Sequence, residues 1–400
     1  MMSRHRSSTE TPGSINPSRP ADRTATTGPA PIPAVHPPGP DLLDLALAHA
    51  RRSIGLSDPN PRVGCVIAAP DGRILGEGHT QEAGGPHAEV MALRDARARG
   101  NDVRGAEAWV TLEPCAHHGR TPPCADALIA AGIARVVVGT PDPFASVNGA
   151  GMRRLVEAGI RVDVARDSAW IAKARELNIG FFHRHEHGRP WVRIKAAISL
   201  DGRTALPNGR SQWITGPEAR RDGHAWRQRA GAIVTGIGTI LHDDPRLDVR
   251  EVPTRLQPLR VILDAQARLP ATARVLAAPG KVLWCTAPRA PLQEPLPANV
   301  QALDLPRGGH GLDLHALLRE LAARDVNEVH VEAGARLTGA FLESGLADEL
   351  LLYVAPRLLG PGLPLAALAE REEIRGALDF QLREALPLGP DLRLRLVRRT

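Results

Sequence analysis

Apolar and polar positions alternate along the chain with two periods, helical and extended, which take turns. Residues 41–54 (DLLDLALAHARRSI) repeat Leu43, Ala46, Leu47, Ala50 and Ile54 on one helical face, which predicts a helix. Two short strands follow, VGCVIA (63–68) and RILGEGHT (73–80), around the turn signal Pro70-Asp71-Gly72. Pro86 suits a first helical position and opens a helix over 87–100. A strand over 108–114, a helix over 122–132 ended by Gly132, a strand over 134–140, a helix over 151–159 and a strand over 161–165 come next. Residues 170–185 (WIAKARELNIGFFHRH) predict one last helix, and the polar stretch 185–190 breaks regular structure. Strands alternating with helices imply a mostly parallel sheet with helices on its faces.

The pattern restarts at Pro190 with a strand over 190–199. Helix, strand and helix follow over 217–245, then strands over 259–265, 281–286 and 327–332, with a helix over 312–321 between the last two. A strand over 350–356 and a hairpin (380–388 with 392–399) around Gly389-Pro390-Asp391 close the chain. This reads as a second α/β domain. The expected division is 41–187 and 188–400, after a disordered tail over 1–40 rich in Pro, Ser, Thr and Gly.

Composition narrows the function. With 3% aromatic residues the cores rest on Ala, Val, Leu and Ile. No run of 18 apolar residues predicts a membrane helix, and the first 20 residues lack the apolar segment of a secretory signal, so the cytoplasm is expected. The net charge of +6 is spread along the chain and forms no stripe, which argues for solvated faces and against a nucleic-acid partner. Some of it would serve a phosphorylated small substrate. Nearly all of it is Arg; Lys173, Lys195 and Lys281 are the three lysines. Cys65 and Cys285 lie in apolar strands and read as core, whereas Cys115 and Cys124 stand apart.

PHAEV places His87 and Glu89 at a helix start, and LEPCAHHGRTPPC places Cys115 after a strand and Cys124 at another helix start, with eight residues between the two cysteines. Helix N-termini favour thiolate. One His and two Cys are three protein ligands and leave a tetrahedral position for water, the mark of a catalytic zinc. Glu89 is the proton shuttle in this reading. A structural zinc with His117 or His118 as fourth ligand is the competing arrangement. The layout, His-x-Glu followed by Pro-Cys and a second Cys, resembles the zinc nucleobase-deaminase signature. The second half carries no Gly-x-Gly-x-x-Gly fingerprint; its local cofactor signal is the strand ending at Glu332, the loop with Gly334 and the helix opened near Thr338-Gly339, a phosphate cradle in principle.

PNPRVGCVI, PHAEV and LEPCAHHGRTPPC resemble the deaminase domain of the bifunctional riboflavin-biosynthesis deaminase/reductases. KAAISLDGRTA, SQWITG, TGIGTILHDDPRLDVR, VEAGARLTGAFL and ELLLYVAPRLLG, in that order, resemble the reductase domain of the same family. The resemblance implies an α/β architecture: an N-terminal cytidine-deaminase-like three-layer domain plus a C-terminal dihydrofolate-reductase-like domain. It implies Zn2+ and NADPH as cofactors. By resemblance, Asn60, His79, His117 and Arg120 surround the deaminase substrate. The family's cofactor positions fall on Ala197, Trp213, Thr239, Asp243 and Gly334, Ala335, Arg336, Leu337, Thr338, Gly339 and Ala340. Its substrate positions fall on Ser211, Arg227, Leu247, Arg250 and Glu332. Arg227 and Arg250 would hold the ribose phosphate, Glu332 would accept from ribose hydroxyls, Trp213 would shield the cofactor, and Lys195 and Asp201 are candidate polar helpers. The chain departs from the common pattern at Ala116, Phe144 and Ala197.

The resemblance implies deamination of 2,5-diamino-6-ribosylamino-4(3H)-pyrimidinone 5′-phosphate, then NADPH reduction of the ribosyl group to ribityl, by a homo-oligomer acting on a phosphorylated pyrimidine ribotide, with no nucleic acid and no membrane as partner. A nucleic-acid-editing deaminase, and a structural zinc module joined to a nucleotide-binding regulatory domain, are the alternatives.

Overall fold

Two sheets organise the chain in a computed structural model that describes residues 42–116, 122–143, 148–290, 295–309 and 311–399. The expected tail over 1–40 lies outside the described residues. The first half runs α1 (Leu42–Arg51), β1 (Gly64–Ala68), β2 (Ile74–His79), α2 (Ala88–Ala98), β3 (Glu107–Val110), α3 (Cys124–Ala130), β4 (Arg135–Val138), α4 (Ala150–Glu157), β5 (Arg161–Val164), α5 (Ser168–Leu177) and α6 (Ile179–His187). Its strand order is β2-β1-β3-β4-β5, with β3, β4 and β5 parallel and β1 antiparallel to both neighbours.

Alternate residues of these strands serve opposite faces. Val137 packs with Leu43, Leu47 and Ala50 of α1 and Trp170, Ala174 and Leu177 of α5. Val136 and Val138 pack with Ala88 and Ala92 of α2, Leu128 of α3 and Leu155 of α4. Helices on both faces of one sheet make the three layers that were expected. A Cβ on Gly78 of β2 would lie 2.4 Å from the carbonyl oxygen of Ala88. The glycine lets α2 lie directly on the strand backbone, and α2 starts at the pocket described below.

One difference concerns the helix expected over 170–185. It is two helices, α5 and α6, broken at Asn178. The Asn178 side chain accepts from Arg62 N–H at 2.8 Å and donates to Arg62 C=O at 2.9 Å. The apolar spacing continues across the break, so periodicity alone reads straight through it. α6 stops at Gly188, whose φ of 70° is left-handed, inside the stretch read as a breaker.

The second half runs β6 (Trp191–Ser199), β7 (Arg203–Ala205), α7 (Pro217–Arg229), β8 (Ala232–Gly236), α8 (Ile237–Asp243), β9 (Leu259–Leu263), α9 (Arg274–Ala277), β10 (Val282–Thr286), β11 (Val300–Asp304), β12 (Arg307–Gly308), β13 (Gly311–Leu312), α10 (Leu314–Ala323), β14 (Glu328–Val331), α11 (Ala335–Glu343), β15 (Glu349–Ala355), β16 (Leu363–Pro364), β17 (Phe380–Leu388) and β18 (Asp391–Arg398). Nine strands form one sheet in the order β11-β10-β9-β8-β14-β6-β15-β18-β17. The seven from β11 to β15 are parallel; β18 and β17 add the expected hairpin antiparallel. The half-exposed β11 lies at the sheet edge, and its mixed polarity carries no strand signal. Val329 and Val331 of β14 face an aliphatic core with Leu317, Leu318 and Phe341. The other face of β14, with Glu328 and His330, is charged yet buried. Among the described residues no helix is long and apolar enough to cross a membrane.

Candidate active sites

His87 precedes α2 in extended conformation and makes no side-chain cap bond, which leaves its ring for other partners. Cys115 follows β3, and Cys124 is the first residue of α3. These segments converge: His87 Nδ1 lies 3.7 Å from Cys115 Sγ and 3.3 Å from Cys124 Sγ, and the Cys124 N–H reaches Cys115 Sγ at 3.4 Å. All three ligand atoms lie within 4.8 Å of one another, the one such group among the described residues. Tetrahedral bonds to zinc would set S···N at ~3.6 Å, so the two S···N separations and the soft donor set fit that metal. The Cys124 thiol, its backbone N–H and His87 together hold the Cys115 thiol well below its ordinary range. Glu89, in the first turn of α2, is 3% exposed, and burial pushes its carboxyl up to about 7 in the metal-free chain.

His117, His118 and Arg120 lie outside the described residues, as does Phe144. His79 ends β2, half-buried, its imidazole pKa lowered by burial and by Arg52 and His49. Asn60 lines a crevice with Arg62, Asn178, Asn327 and Glu328, between the two halves.

The reductase candidates gather at the carboxyl ends of three adjacent parallel strands, where open α/β sheets bind ligands. Ala197 lies near the end of β6, Thr239 and Asp243 are on α8 after β8, and Gly334 to Ala340 lead from β14 into α11. Gly334 caps α11 in extended conformation, and Gly334 and Arg336 are exposed, so the first N–H groups of the helix face outward. Thr338 and Gly339 are buried instead, and Gly339 abuts the Ala367 backbone, where a Cβ would meet the carbonyl oxygen at 2.0 Å. Trp213 is 62% exposed, with the Arg220 guanidinium 4.5 Å from its ring centre. Ser211 lies two residues before it, half-buried.

Glu332, just past β14, accepts both Nε and Nη2 of Arg227 from α7. Lys195 Nζ is 3.7 Å from the same carboxylate. Burial opposes the charge, but Arg227 and Lys195 outweigh it and hold Glu332 well below the usual carboxylate range. Arg227 also donates to the Asp248 carbonyl at 3.0 Å. The Arg227 fork, expected on a phosphate, is thus occupied by Glu332, whereas Arg250 is 46% exposed and tied by one nitrogen to Asp248 at 2.8 Å. Leu247 has a left-handed φ of 52° and a side chain buried in the core, which leaves its backbone to face a ligand. Asp201 is occupied by Ser199 and the N–H groups of Leu359 and Gly360, so it fastens the turn after β6.

Sequence reasoning missed a file of buried charges beneath this site. Arg193, 0% exposed, pairs with Glu328 at 2.9 Å and Glu349 at 2.8 Å. Arg229 and Arg395 join them, and Arg193 and Arg395 stack over Trp226. The signal was available as charge at alternate positions of β6 and β14, but that pattern usually means a solvated face.

Residues 40–140 match the family model of the cytidine and deoxycytidylate deaminase zinc-binding region, and residues 190–394 match that of the RibD C-terminal domain. The chain is 44% identical to the riboflavin biosynthesis protein RibD of Escherichia coli over 365 residues, which covers 88% of this chain and 97% of the relative. RibD of Aquifex aeolicus is 41% identical over 356 residues, 88% of this chain and 96% of the relative. Among solved structures, Acinetobacter baumannii RibD, form 1, superposes with a TM-score of 0.80 at 42% identity, covering 90% of this chain and 98% of that one. The diaminohydroxyphosphoribosylaminopyrimidine deaminase/5-amino-6-(5-phosphoribosylamino)uracil reductase of Thermotoga maritima gives 0.79 at 33%, with the same coverage. The expected folds, cytidine-deaminase-like then dihydrofolate-reductase-like, are borne out. Both halves and their order are those of RibD, and the chain belongs to that family: a zinc deaminase and an NADPH-dependent reductase of riboflavin biosynthesis in one polypeptide.

Proposed function

We propose that each step is carried by the residues gathered above, with deamination assigned to residues 41–187 and reduction to residues 188–400. The observation that carries the reading is the His87–Cys115–Cys124 cluster with the buried Glu89 beside it. His87, Cys115 and Cys124 would hold zinc, which when bound supplies Lewis acidity and a nucleophilic water at neutral pH. Glu89 receives one proton from the attacking water and passes it to the ring nitrogen, then relays the second water proton to the departing amine at C2 of 2,5-diamino-6-ribosylamino-4(3H)-pyrimidinone 5′-phosphate. Ammonia leaves and a uracil ring remains. Asn60, His79, His117 and Arg120 complete the substrate contacts in this reading.

NADPH supplies hydride to C1′ of the ribosyl group in its open imine form. The outward N–H groups of α11 from Gly334 onward bind cofactor phosphate. Ala197, Thr239 and Asp243 border the cofactor, and Trp213 covers it. Arg227 orients Glu332 rather than binding phosphate; Glu332 accepts from ribose hydroxyls; Arg250, with Ser211 and the Leu247 backbone, receives the ribose phosphate. The free Cys115 and Cys124 thiols favour a reducing compartment, the cytoplasm. The spread of basic residues favours a free nucleotide over a nucleic acid. Exposed Leu382 and Leu386 on the edge strand β17 offer a face for a second copy of the chain.

The test is the product mass after zinc-loaded protein meets the diaminopyrimidinone ribotide and NADPH. An oxygen gained for an NH, followed by two hydrogens, is expected. An unchanged substrate with zinc bound would overturn the reading.

A further inference from the structure

A buried carboxylate stands two residues before Cys115 and belongs to no reacting group. Glu113 is 4% exposed. Its Oε2 accepts from Gly149 N–H at 2.9 Å and Asp142 N–H at 3.4 Å; its Oε1 accepts from Gly151 N–H at 3.0 Å and Met152 N–H at 3.3 Å. Three of these donors belong to the start of α4, whose N-terminal partial charge favours an anion. The Glu113 N–H in turn donates to Thr140 C=O at 3.0 Å, which extends the β3–β4 pairing beyond the strands. The next residue is wedged just as closely: a Cβ on Gly151 would lie 1.7 Å from the Pro114 carbonyl oxygen. On its far side, Cys115 is held through its own carbonyl, which accepts from Ala125 N–H at 3.1 Å at the start of α3.

We infer that Glu113 is a positioning residue of the deaminase: its carboxylate, clasped by the backbone N–H groups of Asp142, Gly149, Gly151 and Met152, seats the Pro114–Cys115 turn between α3 and α4 and sets where the Cys115 sulfur meets the metal. The inference rests on the reading of Cys115 as a zinc ligand. Both oxygens are needed, because each accepts two N–H groups. Glutamine keeps the size but offers one oxygen, and its NH2 would face two donors. Aspartate keeps both acceptors on a stem shorter by one methylene.

The test uses the full chain carrying Glu113→Gln, with zinc affinity read by chelator competition and ligand geometry by the visible absorption of the Co2+-loaded protein. Reductase turnover in the same sample reports folding. We expect zinc to bind about 10- to 100-fold more weakly, as when other partners that orient a metal ligand are removed. The cobalt bands should shift, reductase turnover should stay unchanged, and Glu113→Asp should recover part of the loss. Wild-type zinc affinity and cobalt spectrum in Glu113→Gln would overturn the positioning role. Cys115→Ser separates the two claims: if it keeps wild-type zinc affinity, the ligand assignment itself fails. If Glu113→Gln loses reductase turnover and does not fold, Gly151→Ala carries the test. It presses on the same Pro114 carbonyl with the carboxylate intact, and the same two outcomes apply.

Discussion

Arg62, on the loop between α1 and β1, puts a guanidinium nitrogen 2.8 Å from the carboxylate of Glu328 on β14, 266 residues away in the chain. The same side chain donates to the carbonyls of Leu177 and Arg229. The other Glu328 oxygen takes Arg193 and Arg229. The deaminase and reductase halves therefore share one buried ionic junction, and its members are unequal. Arg62→Met leaves Glu328 with two guanidinium partners. Glu328→Gln leaves three buried guanidiniums around a neutral amide. Breaking a buried pair from one side costs about 3–5 kcal/mol. Glu328→Gln should reach that range and Arg62→Met fall short of it, in calorimetric melts where both halves lose stability together. Equal melting temperatures for the two variants would contradict the asymmetry.

The same interior predicts the acid limb of stability. Burial alone would raise the Glu349 carboxyl, but Arg193 and Arg395 outweigh it and hold it at about 2, below its ordinary 4.5. A depressed carboxyl stabilises the fold fully above about 4.5, and that contribution is lost as pH falls through about 2. His330 acts at higher pH. Among the described residues neither ring nitrogen has a hydrogen-bond partner, Nε2 lies 3.5 Å from the Glu332 carboxylate, and burial drops the imidazole to about 3 from 6.5. The folded chain thus resists protonation that the unfolded chain accepts, so stability declines as pH falls from about 6.5 toward 3. Urea midpoints taken from pH 7 to pH 4 should decline, and His330→Leu should flatten the part between pH 6.5 and 5. An unchanged slope there would remove His330 from the account.

The convergence of His87, Cys115 and Cys124 was legible in the sequence because short motifs keep such side chains on helix starts and after strand ends, where local patterns are strongest. Arg227 was picked out by resemblance, but nothing in the chain at 227 announces that its fork closes on Glu332. The break at Asn178 was hidden for the same reason: its cause is the backbone of Arg62, far away in sequence. β14 misled most. Glu328, His330 and Glu332 alternate with Val329 and Val331 as a half-solvated strand would, yet strands on both sides and α7 above bury the charged face. Partners that arrive through tertiary packing leave no local signature.

Glu89 should be separable from zinc. It is buried beside the triad, and the three ligand atoms already converge without it. Glu89→Gln should therefore keep its zinc, as read by metal analysis after gel filtration, and lose deamination by about 10²–10⁴-fold, the usual share of general acid–base catalysis. Reductase turnover should not move. Zinc lost along with the activity would make Glu89 a ligand or a support of the site and end its assignment as the shuttle.

Arg227→Lys tests whether geometry or charge matters beside the reductase substrate. Arg227 spends Nε and Nη2 on Glu332 and Nη1 on the Asp248 carbonyl, three bonds that a single ammonium cannot reproduce in place. Lysine keeps the positive charge, so Glu332 stays ionised, but the carboxylate is free to swing toward Lys195 and away from the ribose. Losing charged hydrogen bonds of this kind costs about 1.5–3 kcal/mol each, which translates to roughly 10- to 100-fold in reductase kcat/KM. If Glu332 serves the ribose, KM for the deaminated ribotide should rise while KM for NADPH stays near wild type. Deamination, some distance away on the other sheet, should be untouched. A rise in the NADPH KM instead would place Glu332 on the cofactor side and reverse its assignment.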